Sequence, residues 1–339
     1  MRYIQIPEPE TVIIGEGERP SPEPGEALLK VLYGGICGSD IGLYKGHMQG
    51  YAAYPRIPGH ELAAELVLVN GDPGCLRPGE VVTVNPYFNC GHCYSCRRGH
   101  VNCCVDNQTM GLQREGGFSE YIVMPVDRVY SGKGLDPQDL VLVEPFCISH
   151  HAVSRAGIKP GENVLIMGAG AIGMFAMLSA KLSGATVYVS DVAEPKLAFA
   201  RSMGADGVIL NATPGDFSRQ AAEATHGDGF DVLIEAVGLP QTLQACIDAG
   251  AHMARIVEVG IGTWPLDFAF NILQKKELNL MGSRNALRQD FLELIDVLNK
   301  GRVSVAGMVT SVYDFNEASH AFAETAANAG TNLKSLIRF

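Results

Sequence analysis

The stretch from Asn163 to Asp191 constrains the fold more than any other part of the chain. An apolar run, Asn163–Met167, passes directly into Gly168-Ala169-Gly170-Ala171-Ile172-Gly173. A helical pattern follows through Lys181, and a second apolar run from Thr186 leads to Asp191. Strand, glycine turn, helix and strand in that order make a βαβ unit whose turn suits a pyrophosphate. Gly168 permits the tight turn, Gly170 lets the backbone approach phosphate oxygens, and Gly173 lets the helix pack closely on the strand. Free N–H groups at the helix start, Ala171 and Ile172 among them, and the positive end of the helix dipole stabilise the negative charge. Asp191 can accept hydrogen bonds from ribose hydroxyls and would repel a 2′-phosphate. Because Val192-Ala193-Glu194 supply no arginine to offset that repulsion, NAD is predicted over NADP.

The same stretch raises and answers a second question. Residues 163–180 carry no charge, which reaches the lower length limit for a membrane span. Three glycines inside six positions break any such helix, so a strand, a turn and a buried helix are predicted instead. Residues 1–9 show no basic stretch followed by an apolar core, so no secretion signal is read there and a cytoplasmic protein is expected.

Around this unit the pattern alternates. Further strands are predicted at 186–189, 207–210, 231–235 and 255–259, with a helix at 195–203, which argues a parallel sheet with helices on both faces. Residues 1–150 read differently. They are rich in Gly and Pro, with short β-like runs at 27–33, 62–69, 80–84 and 121–125. After residue 285 come a helix at 289–300 and a short mixed tail ending at 333–339. Two domains are therefore expected: residues 1–150 with 286–339, and a doubly wound nucleotide domain inserted at 151–285.

Nine cysteines are present, an odd number, and four of them, Cys90-x-x-Cys93-x-x-Cys96-x7-Cys104, lie within one loop. Four soft ligands at this density suit tetrahedral zinc with no open position, hence a structural site. Cys103 competes with Cys104 for the fourth place. An iron–sulfur cluster is the chemical rival, and it would call for a redox partner. The net charge of −11 makes the chain a poor binder of polyanions, so nucleic acid and anionic membrane surfaces are not expected partners. An anionic substrate would need a local cluster of positive charge.

Three further segments carry ligand-type residues beside tight turns: Cys37-Gly38-Ser39-Asp40, Gly59-His60-Glu61 and Val143-Glu144-Pro145. Together with the four-cysteine loop, the run Gly116-Gly117-Phe118-Ser119-Glu120-Tyr121 and the glycine fingerprint, they resemble the zinc-dependent medium-chain alcohol and polyol dehydrogenases along essentially the whole chain. That resemblance implies a GroES-like catalytic domain with the Rossmann domain inserted in it. It also implies two zinc ions per chain, one catalytic and one structural, and NAD. Glu144 in the third ligand position follows the sorbitol dehydrogenase branch, so the catalytic zinc is expected on Cys37, His60 and Glu144. Glu61 would stand beside the metal, as a supporting group or an exchangeable ligand, and Asp40 would hydrogen-bond the His60 ring. The segments around Glu144 and Met281-Gly282-Ser283-Arg284-Asn285 resemble bacterial sugar-acid members, the L-galactonate and L-gulonate 5-dehydrogenases.

The implied activity is NAD-linked oxidation of a secondary hydroxyl. Zinc lowers the pKa of the bound alcohol, and Ser39 is the expected proton acceptor. The family's relay histidine is replaced by Gly42, with His47 a nearby substitute. Two departures are thus visible, the other being Ala64 where the Gly-His-Glu signature ends in glycine. Lys196 resembles the second ribose contact, and Val237, Val259 and Gly260 sit at strand ends expected to line the nicotinamide. Ser39, His47, Glu120, Arg284 and Asn285 make the expected substrate pocket polar, favouring a polyhydroxylated small molecule. Arg284 is read either as a bidentate carboxylate anchor or as a cofactor contact. Neutral polyols, vicinal diols and L-threonine remain alternative substrates. A non-catalytic cofactor-binding protein is the alternative of another class. A homodimer or homotetramer follows from the resemblance.

Overall fold

The strand Glu26–Ile36 organises the first of two structural units. Its sequence, EALLKVLYGGI, is buried over most of its length, with Lys30 the exposed position, and ends in glycines that admit close neighbours. The computed structural model describes residues 1–48, 50–328 and 330–339, with only the backbone of Pro214. Along one edge Glu26–Ile36 pairs antiparallel with Glu61–Asn70. Along the other, Tyr121–Pro125 covers its first half and Lys334–Arg338 its last residues. Val309–Asp314, Val81–Val84 and Val129–Ser131 complete a seven-stranded sheet. Its core gathers Ile4, Leu29, Leu62, Leu66, Phe118 and Phe322. Burial of such side chains, each contributing about 1.5–3 kcal/mol, anchors the strand ends that carry the chemistry.

The second unit is a six-stranded parallel sheet in the order Gly207–Leu210, Thr186–Asp191, Asn163–Met167, Phe230–Glu235, Gly250–Glu258, Asn279–Gly282. Strand order reverses between Asn163–Met167 and Phe230–Glu235, which is where a dinucleotide crevice opens at the carboxyl ends of the strands. The uncharged stretch 163–180 resolves into that strand, the glycine turn and the buried helix Ala171–Leu182. Among the described residues no helix is long and apolar enough to cross a membrane.

The units comprise Met1–Glu144 with Ala286–Phe339, and Pro145–Asn285. The second boundary coincides with the sequence expectation. The first falls at 144/145 rather than 150/151, inside the helix Val143–Ala156. Pro145 gave no warning of a continuous helix there, yet the first turn is where proline is tolerated, since its missing N–H has no partner to lose. The sixth strand, Asn279–Gly282, is short and mostly exposed and lacks β-branched residues, so sequence patterning did not reveal it.

Candidate active site

Strand register builds the site. Gly35 pairs with Glu61, so the turn residues beyond the strand ends, Cys37 on one side and Gly59-His60 on the other, meet at the same end of the sheet. On the opposite edge Ser335 pairs with Ile36, which brings Lys334 level with Cys37. Ligand atoms of Cys37, His60 and Glu61 lie within 4.8 Å of one another.

Asp40, fully buried, organises this junction through the backbone. Its carboxylate accepts the Cys37 N–H at 2.9 Å and the Gly59 N–H at 3.1 Å, locking the two ligand-bearing turns together. The expected hydrogen bond to His60 is not formed: His60 Nδ1 lies 3.9 Å from Asp40 Oδ1, because both carboxylate oxygens are committed to N–H groups. Burial raises the Asp40 carboxyl, and His60 and the two N–H bonds oppose it. Burial alone would lower the His60 imidazole, yet Cys37, Asp40 and Glu144 around it hold it well above its ordinary range.

Glu144 enters from the first turn of Val143–Ala156 and is buried. It stands outside the Cys37–His60–Glu61 group, and the Tyr87 hydroxyl donates to its Oε1. Burial pushes its carboxyl up to about 7, with Glu61 adding to the rise and His60, Tyr87 and Lys334 opposing it. Glu61 is paired with the buried ammonium of Lys334. Neither Tyr87 nor Lys334 was singled out from sequence. The one available signal was Gly35, where a Cβ would fall 2.2 Å from Glu61 Oε2.

Four ionisable acids (Cys37, Asp40, Glu61, Glu144) therefore gather around His60, with one buried ammonium on Glu61, a balance that suits a divalent cation held by sulfur, nitrogen and oxygen. The Ser39 hydroxyl is buried beside it without a hydrogen-bond partner. Such an orphan is costly to bury unless a ligand completes it.

The four-cysteine loop has its own geometry. Cys90, Cys93, Cys96 and Cys104 bring their sulfurs within 4.8 Å of one another, and Cys93 and Cys104 Sγ are 4.0 Å apart. Tetrahedral zinc with bonds of about 2.3 Å requires sulfur–sulfur edges of about 3.8 Å. Backbone N–H groups of Cys90 and Cys93 donate to Cys104 and Cys90 sulfurs at 3.2 and 3.3 Å. Backbone hydrogen bonds from Cys96 and Val105 bring the Cys93 thiol down to about 6. Cys104 is buried in the group while Cys103 is exposed and outside it, which favours Cys104 for the fourth place.

In the second unit the glycine turn has the expected steric logic. Gly168 has φ of +101°, a Cβ on Gly173 would fall 1.7 Å from Gly168 O, and a Cβ on Gly170 would meet no atom within 4 Å. That open space at Gly170 is where a pyrophosphate can approach. Asp191 accepts the Ala169 N–H at 2.7 Å and the Ala193 N–H at 2.9 Å. Lys196 follows in the first turn of Glu194–Ser202. Val237, Val259 and Gly260 lie just beyond the carboxyl ends of Phe230–Glu235 and Gly250–Glu258. Arg284, exposed, and Asn285 follow Asn279–Gly282 at that same edge.

Two expected pocket residues sit elsewhere or differently. Glu120 is tied to the first strand: its carboxylate accepts the Arg2 N–H at 2.7 Å and meets the Arg2 guanidinium at 2.9 Å. That commitment, which short-range sequence pattern could not show, pulls its carboxyl below the usual range, chiefly through the Arg2 backbone bond. His47 is exposed, and its N–H donates to Gly42 O at 2.8 Å, folding the turn back beside the position it was expected to replace.

Comparison with known proteins agrees with this chemistry. Residues 23–134 match the alcohol dehydrogenase GroES-like domain and residues 171–300 the zinc-binding dehydrogenase domain. An L-galactonate-5-dehydrogenase from Escherichia coli K12 is 34% identical over 339 residues, covering 100% of this chain and 99% of that protein. A sorbitol dehydrogenase from Halalkalibacterium halodurans is 31% identical over 94% of each chain. An alcohol dehydrogenase from E. coli CFT073, solved with the cofactor NADH, superposes with a TM-score of 0.92 at 31% identity, covering 100% of this chain and 99% of the other.

Proposed function

This chain belongs to the zinc-dependent medium-chain alcohol and polyol dehydrogenases, and from that premise we propose that it oxidises a secondary hydroxyl of a sugar acid, of the L-galactonate or L-gulonate type, using NAD. The observation that carries the catalytic part is the buried donor cluster at the end of Glu26–Ile36 with the unpartnered Ser39 hydroxyl beside it. Zinc held there supplies Lewis-acid polarisation of the substrate hydroxyl, and NAD supplies the hydride acceptor.

Cys37, His60 and Glu144 are the proposed ligands, with Glu61 kept off the metal by its ion pair to Lys334. Ser39 accepts the hydroxyl proton, and His47, exposed beside Gly42, is its outlet to solvent. Gly168, Gly170, Ala171, Ile172 and Gly173 hold the pyrophosphate, Asp191 and Lys196 the adenosine ribose. A second zinc on Cys90, Cys93, Cys96 and Cys104 is structural.

The sugar-acid assignment is supported by the 34% relative, which matches end to end, and by Arg284 at the carboxyl edge of the parallel sheet. A guanidinium there suits bidentate contact with a carboxylate. The sorbitol dehydrogenase relative favours a neutral polyol as the second reading. The proposed assembly is a homodimer or homotetramer in the cytoplasm, with the exposed Ile261, Trp264, Leu266 and Phe270 as its candidate contact surface.

Initial rates of NAD reduction across hexonates, pentonates, neutral polyols and L-threonine, with Arg284→Ala in parallel, test the assignment. A hexonate is expected to win, and Arg284→Ala to raise its KM selectively. Preference for neutral polyols, or loss of NAD affinity across every substrate in the variant, overturns the sugar-acid reading.

A further inference from the structure

Glu235 closes the Phe230–Glu235 strand with a fully buried carboxylate. Its Oε1 accepts the N–H groups of Val237 and Gly238 at 3.0 and 3.1 Å and the Thr242 hydroxyl at 2.7 Å. Its Oε2 accepts the Gly238 N–H at 3.0 Å. Its backbone carbonyl receives the N–H groups of Val259 and Gly260 at 2.9 and 3.0 Å. One residue thus bonds both loops that leave neighbouring strands at the carboxyl edge.

These loops interlock without slack. A Cβ on Gly260 would fall 2.2 Å from Gly238 N and 2.8 Å from Glu235 Oε2, and one on Gly262 would fall 2.2 Å from Gly238 O. The first loop also abuts the phosphate turn: the Ala236 N–H donates to Met167 O at 2.9 Å, and a Cβ on Gly168 would fall 2.8 Å from Val237 Cγ2. The first loop therefore lies where strand order reverses, the position at which such sheets bind dinucleotides, and the second packs against it.

We infer that Glu235 is a positioning residue for the nicotinamide half of the cofactor. It fixes Val237 against Val259-Gly260 before NAD arrives, so that ordering these loops does not count against binding. Each group hydrogen-bonded to its side chain is a donor, and a side-chain oxygen there satisfies them. The inference rests on the reading of Val237, Val259 and Gly260 as nicotinamide contacts.

Calorimetric titration of the full chain with NADH and with ADP-ribose, which lacks the nicotinamide, separates positioning from general support of the domain. Glu235→Ala is expected to weaken NADH by about tenfold or more while leaving ADP-ribose within about twofold. Glu235→Gln keeps the three bonds to Oε1 and is expected to stay within about threefold of the parent for NADH. Unchanged NADH affinity in Glu235→Ala, or equal losses for both ligands, overturns the inference. Should Glu235→Ala not fold, Thr242→Val decides: weakening confined to NADH upholds the inference, and unchanged NADH affinity overturns it. A parent protein that binds ADP-ribose but gains nothing from the nicotinamide would instead fail the reading on which the inference rests.

Discussion

Lys334 Nζ lies 2.6 and 2.7 Å from the two carboxylate oxygens of Glu61, and both side chains are buried. The residues are 273 positions apart and meet only because two strands flank Glu26–Ile36 on opposite edges. Burial would lower the ammonium, but Glu61 and Cys37 hold it above its ordinary value, so it stays charged. An ammonium on both oxygens gives Glu61 a partner other than the metal.

Removing that ammonium strands a carboxylate in the interior. Lys334→Met is expected to cost roughly 3–5 kcal/mol of stability, while Lys334→Met with Glu61→Gln recovers most of it. Denaturant unfolding of the two variants measures this. A single variant as stable as the parent would show that the pair is not held as described.

Two glycines of one turn should fail in different ways. Gly173→Ala forces a Cβ against Gly168 O at 1.7 Å and is expected to lower the unfolding temperature and cofactor affinity together. Gly170→Ala meets no protein atom, so stability should hold while NAD affinity falls by about tenfold, the pyrophosphate approach being blocked. Unfolding temperature and NAD titration read both effects; intact NAD binding in Gly170→Ala would move the phosphate elsewhere.

Asp191 should set the choice of dinucleotide. With Asp191 holding the ribose as proposed, Asp191→Ala would remove those hydrogen bonds and the repulsion of a 2′-phosphate, so kcat/KM with NAD is expected to fall roughly tenfold or more while the ratio of NADP to NAD use rises. Steady-state kinetics with both dinucleotides checks it, and an unchanged ratio would remove Asp191 from that role.

The cysteine loop predicts an asymmetry between neighbours. Cys104→Ser is expected to lose one of two zinc ions per chain and to destabilise the loop, whereas Cys103→Ser, at an exposed position, keeps both. Metal analysis of the two purified variants distinguishes them.

What could be read from sequence was local. The glycine turn and the four cysteines fall within short stretches, where spacing and steric need coincide, and their geometry follows that spacing. Cys37, His60 and Glu144 lie far apart in sequence and stood on family resemblance, not on periodicity. The partners of the site escaped: Lys334 and Tyr87 reach Glu61 and Glu144 across sequence separations of 273 and 57 positions. Glu120 was expected in the pocket as one of its polar and charged residues, whereas an antiparallel neighbour, Arg2, claims it. Asp40 was assigned the right neighbourhood and the wrong donor, since two backbone N–H groups satisfy it before His60 can.

If the buried cluster around His60 holds the catalytic metal, loss of one ligand removes that metal and leaves cofactor binding in place. Zinc per chain, NADH affinity and hexonate-dependent NAD reduction measured on the parent and on Cys37→Ser test it most directly. Two zinc ions and turnover are predicted for the parent, and one zinc ion, retained NADH binding and no turnover for the variant. Two zinc ions or continued turnover in Cys37→Ser would remove Cys37 from the catalytic metal site.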